Sequence, residues 1–356
     1  MTNENQSRTL TREEADAFGR ELDALRDATK KDLGQRDVDH IRRMIKVVRY
    51  TEAGGRALLH FGVDPVTFGL GVAALATSKI FDNMEVGHNV LHGQYDWTRD
   101  PKLGSHAYEW DTSCPSGDWR HSHNFEHHTF TNVLGRDRDI GYGLLRVSTQ
   151  QRWHLGHLTQ PVSAMLLALN FQWGVATHDL RVDETLAGRQ SLAELRERAQ
   201  PFWKKAKWQL AKDYLFYPAL ALANAPRVAL GNWLANLTRN VWSFAIIFCG
   251  HFPEGVKVYT EGEVAGESRG QWYLRQLNGS ANIEGGKLMH LFSGHLSHQI
   301  EHHMFPDIPA SRYPEMAERV REICARYGQA YNTGSFRRQL TSVATQIVAN
   351  ALPTAA

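Results

Sequence analysis

The chain is poor in cysteine, with three residues in 356: Cys114, Cys249 and Cys324. Their wide spacing supplies neither an iron–sulfur cluster nor a four-thiolate zinc site, and an odd number argues against a disulfide framework. A reducing compartment fits that usage. An excess of one charge is lacking too. The 40 Lys and Arg nearly balance the 38 Asp and Glu, a formal net charge of +2, which points to no nucleic-acid partner. No G-x-G-x-x-G follows a strand pattern, so no flavin or nicotinamide site is signalled. The opening segment, MTNENQSRTLTREEADAFGRELDAL, has no apolar core and does not read as a secretory signal. Thr11 followed by Glu14 reads instead as the capping box of an exposed helix.

Long hydrophobic runs are scarce as well, and the mean hydropathy is −0.43. A membrane helix needs ~20 consecutive apolar residues, and no run reaches that cleanly. Residues 58–81 (LLHFGVDPVTFGLGVAALATSKIF) are broken by Asp64-Pro65, giving either one span or a short hairpin. Residues 214–253 are the longest mostly apolar region, where Arg227, Gly231 and Asn232 suggest a turn between two weak spans. Residues 153–178 lack Asp, Glu, Lys and Arg but are diluted by Pro161, Asn170 and Gln172, and are expected on a surface. Ten Trp, many near apolar runs, hint at a membrane interface. The expected fold is all-α, with helices at 11–33, 36–50 and 313–327 among others. It is read as a membrane-associated array of few weak membrane helices bearing a cytosolic helical cap. A soluble bundle with buried apolar helices is the rival.

What the chain has in quantity is histidine, 18 in all, and six of these fall in one figure written twice. HNFEHH (123–128) and HQIEHH (298–303) both read H-x-x-E-H-H. On an α-helix, positions i and i+4 lie ~40° apart and can grip one ion, whereas i+5 points ~100° further round. One such helix can therefore serve two neighbouring metals. GHNVLH adds His88 and His92, and His251 ends the last apolar run in FCGHFP. The candidate ligands are thus His88, His92, His123, His127, His128, His251, His298, His302 and His303. Nine imidazoles exceed what one zinc takes, so two ions with open positions fit better. Imidazole suits iron, zinc, copper or nickel, and ligand type alone does not choose. Glu126 and Glu301 are candidates to orient ring N–H groups, and His121 and His295 lie close enough to assist. His40, His60, His106, His154, His157, His178 and His290 are read as ordinary surface or packing histidines. Asn124 and Asn132 read equally as outer groups of the site or as backbone caps. A ferritin-type site would need two E-x-x-H motifs, and only Glu85–His88 has that spacing.

These residues resemble the histidine boxes of the membrane fatty acid desaturase family, of the form HxxxH, HxxxHH and (H/Q)xxHH. His88/His92, His123/His127/His128 and His302/His303 match in type, order and spacing, and His251 matches a further histidine of the family's last membrane helix. In the third box, either His298 or Gln299 matches the first position. DNMEVGHNVLHGQYDW, DWRHSHNFEHHTFTNVLGRDRDIGYG, RNVWSFAIIFCGHFP, GQWYLRQLNGSAN and HQIEHHMFPDIP resemble the actinobacterial acyl-CoA branch, akin to stearoyl-CoA Δ9 enzymes.

The resemblance implies a desaturase domain over residues 35–335, after an N-terminal helical extension (1–34) and before a C-terminal tail (336–356). It implies a non-haem di-iron centre, which zinc can occupy in purified protein. It also implies O2-dependent insertion of a cis double bond into long-chain acyl-CoA, at a cell membrane with the site facing the cytoplasm. Electrons would come from a separate NAD(P)H-dependent flavin and iron–sulfur protein, since no haem-binding His-Pro-Gly-Gly is present. The basic stretch holding Lys204, Lys205, Lys207 and Lys212 is a candidate docking surface for it. Membrane lipid is the other expected partner. A fatty acid or alkane hydroxylase with the same two irons, or a His-rich metal-binding or transport membrane protein, would share parts of this pattern.

Overall fold

The capping box read at Thr11 forms in the computed structural model, which describes residues 7–353. Thr11 Oγ1 accepts from the Glu14 N–H at 3.2 Å, and the Glu14 carboxylate accepts from the Thr11 N–H at 2.8 Å. It opens helix α1, Arg12–Lys31. Helix α2, Gln35–Phe61, runs unbroken from the charged stretch into the apolar one, ~40 Å in all. The chain then reverses: Asp64 accepts from the Val66 and Thr67 N–H groups at 2.9 and 3.0 Å, and Pro65 opens α3, Pro65–Ile80. Residues 58–81 are therefore the turn and second arm of a hairpin.

Helices α4 (Gln160–Leu169), α5 (Phe171–His178) and α6 (Leu192–Ala211) follow, and then α7, Ala225–His251. The turn expected around Arg227, Gly231 and Asn232 lies instead at 221–224, just before α7. Each of the three residues has another task. Arg227 donates to the Asp64 carbonyl, Asn232 donates to the Asp213 carbonyl, and a Cβ on Gly231 would come within 2.7 Å of Leu59. Helices α8 (Arg269–Asn278), α9 (Gln299–Met304), α10 (Tyr313–Arg326) and α11 (Phe336–Ala349) complete the array. The only strands among the described residues are β1 (Asn282–Glu284) and β2 (Thr333–Ser335), paired in parallel.

Two apolar cores flank the histidines. One joins Ile41 and Met44 of α2, Phe81 and Met84 after α3, Ile246 and Cys249 of α7, and Val343 and Ile347 of α11. The other joins Phe18 and Leu22 of α1, Tyr273 and Leu277 of α8, Ile300 and Met304 of α9, and Met316 and Val320 of α10. Both terminal helices are thus part of the packed body. Among the described residues no helix is long and apolar enough to cross a membrane by itself. Large apolar side chains are nevertheless exposed on the α2–α3 turn (Phe61, Val63, Val66), on α4 (Val162, Met165, Leu166) and between α6 and α7 (Leu215, Phe216, Leu222).

Helices α2 and α3 meet through glycine. A Cβ on Gly55 would lie 2.8 Å from the Leu75 backbone nitrogen, while one on Gly69 would meet nothing within 4 Å. Gly55→Ala should therefore destabilise the protein by about 1–3 kcal/mol through overpacking. Gly69→Ala should stabilise it by about 0.5–1 kcal/mol, because helix-interior glycine is costly. Thermal unfolding of the two variants side by side checks both signs.

Candidate metal centre

Each histidine box sits where a helix departs from regular α geometry. Helix α3 runs on into a π-helical segment, Phe81–Gly87, which delivers His88 and His92. The second box lies on another π-helix, Arg120–His127, continued by His128–Phe130. Such wide turns are rare and concentrate at functional sites. The third box begins after a left-handed residue, His295 (φ 60), and a short 3₁₀ turn, Leu296–His298.

Eight of the nine candidate histidines converge. Ligand atoms of His88, His92, His123 and His302 lie within 4.8 Å of one another, as do those of His127, His251 and His303. His128 joins His302 and His303 in a third such set, bridging the first two. The i, i+4 rule holds for His88 and His92, whereas in the second box His123 and His127 meet on their Nδ1 side, around Asp139. His123 falls with the first box and His127 with His251, because the helix carrying them is π rather than α.

The ninth, His298, is not brought in. It precedes α9 with φ −107 and ψ 57, off the helix that carries His302 and His303, and its ring sits 4.5 Å from that of His290. Gln299 takes the position beside the cluster. Its Nε2 donates to His251 Nε2 at 2.9 Å, and its buried Oε1 has no hydrogen-bond partner.

The rings are held from behind. His127 Nδ1 lies 3.0 Å from both Asp137 oxygens, and His123 Nδ1 lies 3.5 Å from Asp139. His303 Nδ1 lies 3.2 Å from Thr131 Oγ1 and from Gln276 Oε1. Their opposite nitrogens face inward. The buried Nε2 atoms of His92, His123, His127, His128 and His302 have no hydrogen-bond partner among the described residues. His303 Nε2 and His251 Nε2 face each other at 3.4 Å. Leaving one buried polar group unpaired costs ~1–3 kcal/mol. Five such nitrogens turned toward one place are what cations between the rings would satisfy, so the donor set fits bound metal. Protonation agrees. Burial, reinforced by the neighbouring imidazoles, holds His88 at about 3 and pushes His92, His128, His302 and His303 well below the usual range. Those rings are neutral, with lone pairs free. Burial opposes charge on His127 too, but the Asp137 carboxylate outweighs it and carries that ring up to about 9. Such a carboxylate fixes the tautomer of a metal-bound imidazole.

The carboxylates that orient the rings are not the expected ones. Glu126 pairs with Arg181, beside the exposed His121. Glu301 accepts from Asn282 Nδ2 at 2.9 Å and from the Tyr331 hydroxyl at 2.8 Å, and burial pushes its carboxyl up to about 7. Neither reaches a ring of the cluster. Asp137 and Asp139 lie in RDRDIGYG just after the second box, at no helical spacing from it, so only their proximity in sequence signals them. His178, read as ordinary, pairs with Asp139 at 3.1 Å. His295 joins His40 around buried Glu85, at 2.9 and 2.6 Å, away from the main cluster. Asn124 and Asn132 both donate to backbone carbonyls.

A pocket adjoins the cluster. Met84, Trp110, Trp119, Phe171 and Ile247 give it an apolar wall, and His88, His123, His127, His251 and Gln299 border it. A buried centre of neutral imidazoles beside a partly apolar pocket can bring bound metal against a hydrocarbon chain. The chain belongs to the fatty acid desaturase family, whose sequence model matches residues 65–335. It is 44% identical over 331 residues to the NADPH-dependent stearoyl-CoA 9-desaturase of Mycobacterium tuberculosis, covering 92% of this chain and 78% of that protein. It is 27% identical over 273 residues to the sn-1 linoleoyl-lipid 6-desaturase of Synechocystis, 74% of each chain. Human fatty acid desaturase 3 is 25% identical over 242 residues, 64% of this chain and 49% of that one. The chain is therefore a fatty acid desaturase, an oxidoreductase.

Two substitutions separate ligands from neighbours. His302→Ala should lower the metal content of the purified protein, and His298→Ala should leave it unchanged, as read by elemental analysis. Asp137→Asn should weaken metal affinity by about 10–100-fold without loss of helicity, measured by chelator competition and circular dichroism.

Proposed function

We propose that the chain introduces a cis double bond into a long-chain acyl-CoA, at the Δ9 position, using O2 and two irons. The observation that carries this is the set of inward-facing, unpaired imidazole nitrogens beside a partly apolar pocket. The name of the mycobacterial relative supports the CoA carrier and the position. His88, His92, His123, His127, His128, His251, His302 and His303 would hold the metals, with Gln299 beside His251. The irons would supply the oxidising power for unactivated C–H bonds. The protein's own part is to press adjacent methylenes against that point, to exclude water, and to keep the rings fixed through Asp137, Asp139, Thr131 and Gln276. No side chain is needed as nucleophile or general acid.

Electron balance calls for a partner. Removing two hydrogens yields two electrons and two protons, while reducing O2 to two waters takes four of each. Two electrons must arrive from outside, and the three cysteines are free and buried apart. A separate NAD(P)H-dependent flavin and iron–sulfur protein fits that need. The lysine stretch suggested for its docking offers less than the sequence implied. Lys205 is engaged by Glu109 and the Cys114 carbonyl, and Lys212 is buried against Asp111, leaving Lys204 and Lys207 outward. Exposed Trp203, Trp208 and Trp233, with the bare apolar side chains of α4 and the α2–α3 turn, support a seat on the cell membrane with the centre on its cytoplasmic side. A transport role is less well supported, because the ligands gather at one point instead of lining a path.

Reconstitution tests the reading. Purified protein with stearoyl-CoA, O2, NADPH and a reductase should yield the Δ9 cis-monoene by gas chromatography, with about two metal ions per chain. Omitting the reductase should stop turnover. A hydroxylated product would favour the hydroxylase, and sustained turnover without added protein would refute the need for a partner.

A further inference from the structure

Four residues of α7 face the pocket at a spacing of one helical turn: Arg239, Ser243, Ile247 and His251. His251 belongs to the metal cluster, and Arg239 lies about 18 Å back along the helix at ~1.5 Å per residue. At the Arg239 end Thr112, Arg239, Asn240 and Ser243 are all at most 4% exposed. Arg239 makes one hydrogen bond among the described residues, from Nη2 to Asn240 Oδ1 at 3.1 Å, and no ion pair within 4 Å. A guanidinium carries five N–H donors, so most of this one is unpaired although the side chain is buried. Behind it lies a packed ionic layer in which Lys79 bonds Asp213 at 3.0 Å and Lys212 bonds Asp111.

We propose that Arg239 is the floor of the acyl channel and sets the longest tail the enzyme accepts. The inference rests on the acyl-substrate reading above. A hydrocarbon end offers no acceptor to the guanidinium. A tail long enough to touch it would strip water from the free donors and return nothing, so the methyl end stops short of Arg239. Upstream, each methylene gains from apolar contact, at ~0.8 kcal/mol per buried CH2 or roughly fourfold in kcat/KM. The channel thus rewards length up to the floor and penalises it beyond.

The test is a series of saturated acyl-CoAs of increasing length with metal-loaded enzyme and its reductase. In the wild type kcat/KM should climb by roughly fourfold per methylene and then fall abruptly. Arg239→Met, of similar reach but uncharged, should move the fall to longer chains, and Arg239→Lys should leave it in place. Ser243→Leu, one turn nearer the metals on the same face, should move it to shorter chains. A folded, metal-replete Arg239→Met enzyme with an unchanged cutoff overturns the proposal. Should that variant fail to fold, an unchanged cutoff in Ser243→Leu overturns it instead. A wild-type preference for tails ending in carboxylate also overturns it, because Arg239 would then be receiving an anion. If only lipid-linked acyl groups are turned over, the CoA reading falls while the same length cutoffs decide the floor.

Discussion

Everything in this molecule turns on closing a group of unpaired, neutral imidazoles inside apolar surroundings. Each inward nitrogen left without a partner costs ~1–3 kcal/mol, and five are present, while the net stability of a folded protein is only ~5–15 kcal/mol. Bound cations would relieve that cost, and metal binding would then be part of the folding free energy. The two cores follow from this. Helix α9 turns Ile300 and Met304 into one apolar body while presenting His302 and His303 to the centre, and α7 packs Ile246 and Cys249 in the other body while ending in His251.

Much of this was legible in the sequence because metal chemistry restricts residue type. His88, His92, His123, His127, His128, His251, His302 and His303 could be picked out by spacing and by resemblance, and all meet. The H-x-x-E-H-H figure misled in its first position. His298 and His123 look alike in sequence, but α9 starts one residue too late to carry His298 toward the metals. Pattern counting assumes 3.6 residues per turn, and the π-helical stretch that carries the second box breaks that assumption. Asp137, Asp139, Thr131 and Gln276 were invisible for another reason. They act across loops and between elements, where no period links them to the rings they hold.

Polar residues in apolar segments were also ambiguous from sequence alone. Arg227, Gly231 and Asn232 carry the composition of a turn, yet they sit inside α7 because hydrogen bonds and a close approach occupy them. The weak apolar runs have the same origin. Helices α3 and α7 bury Lys79, Asn232, Asn236, Arg239 and Asn240, the first three against Asp213, so their mean apolarity falls while their outer faces keep bare leucines, valines and tryptophans. Any seat on a bilayer would then be a property of the assembled surface and not of any one helix.

The order of synthesis gives the ligand set a further consequence. The group built on His88, His92 and His123 is completed only by His302, and the other by His303, so neither closes until most of the chain has left the ribosome. Contacts this distant in sequence form late and slowly. Until then, the early boxes are an incomplete set of imidazoles open to whichever transition metal is abundant. The ion that fills such a centre would then be set by supply at the moment of closure as much as by affinity, since affinity alone disfavours ferrous iron.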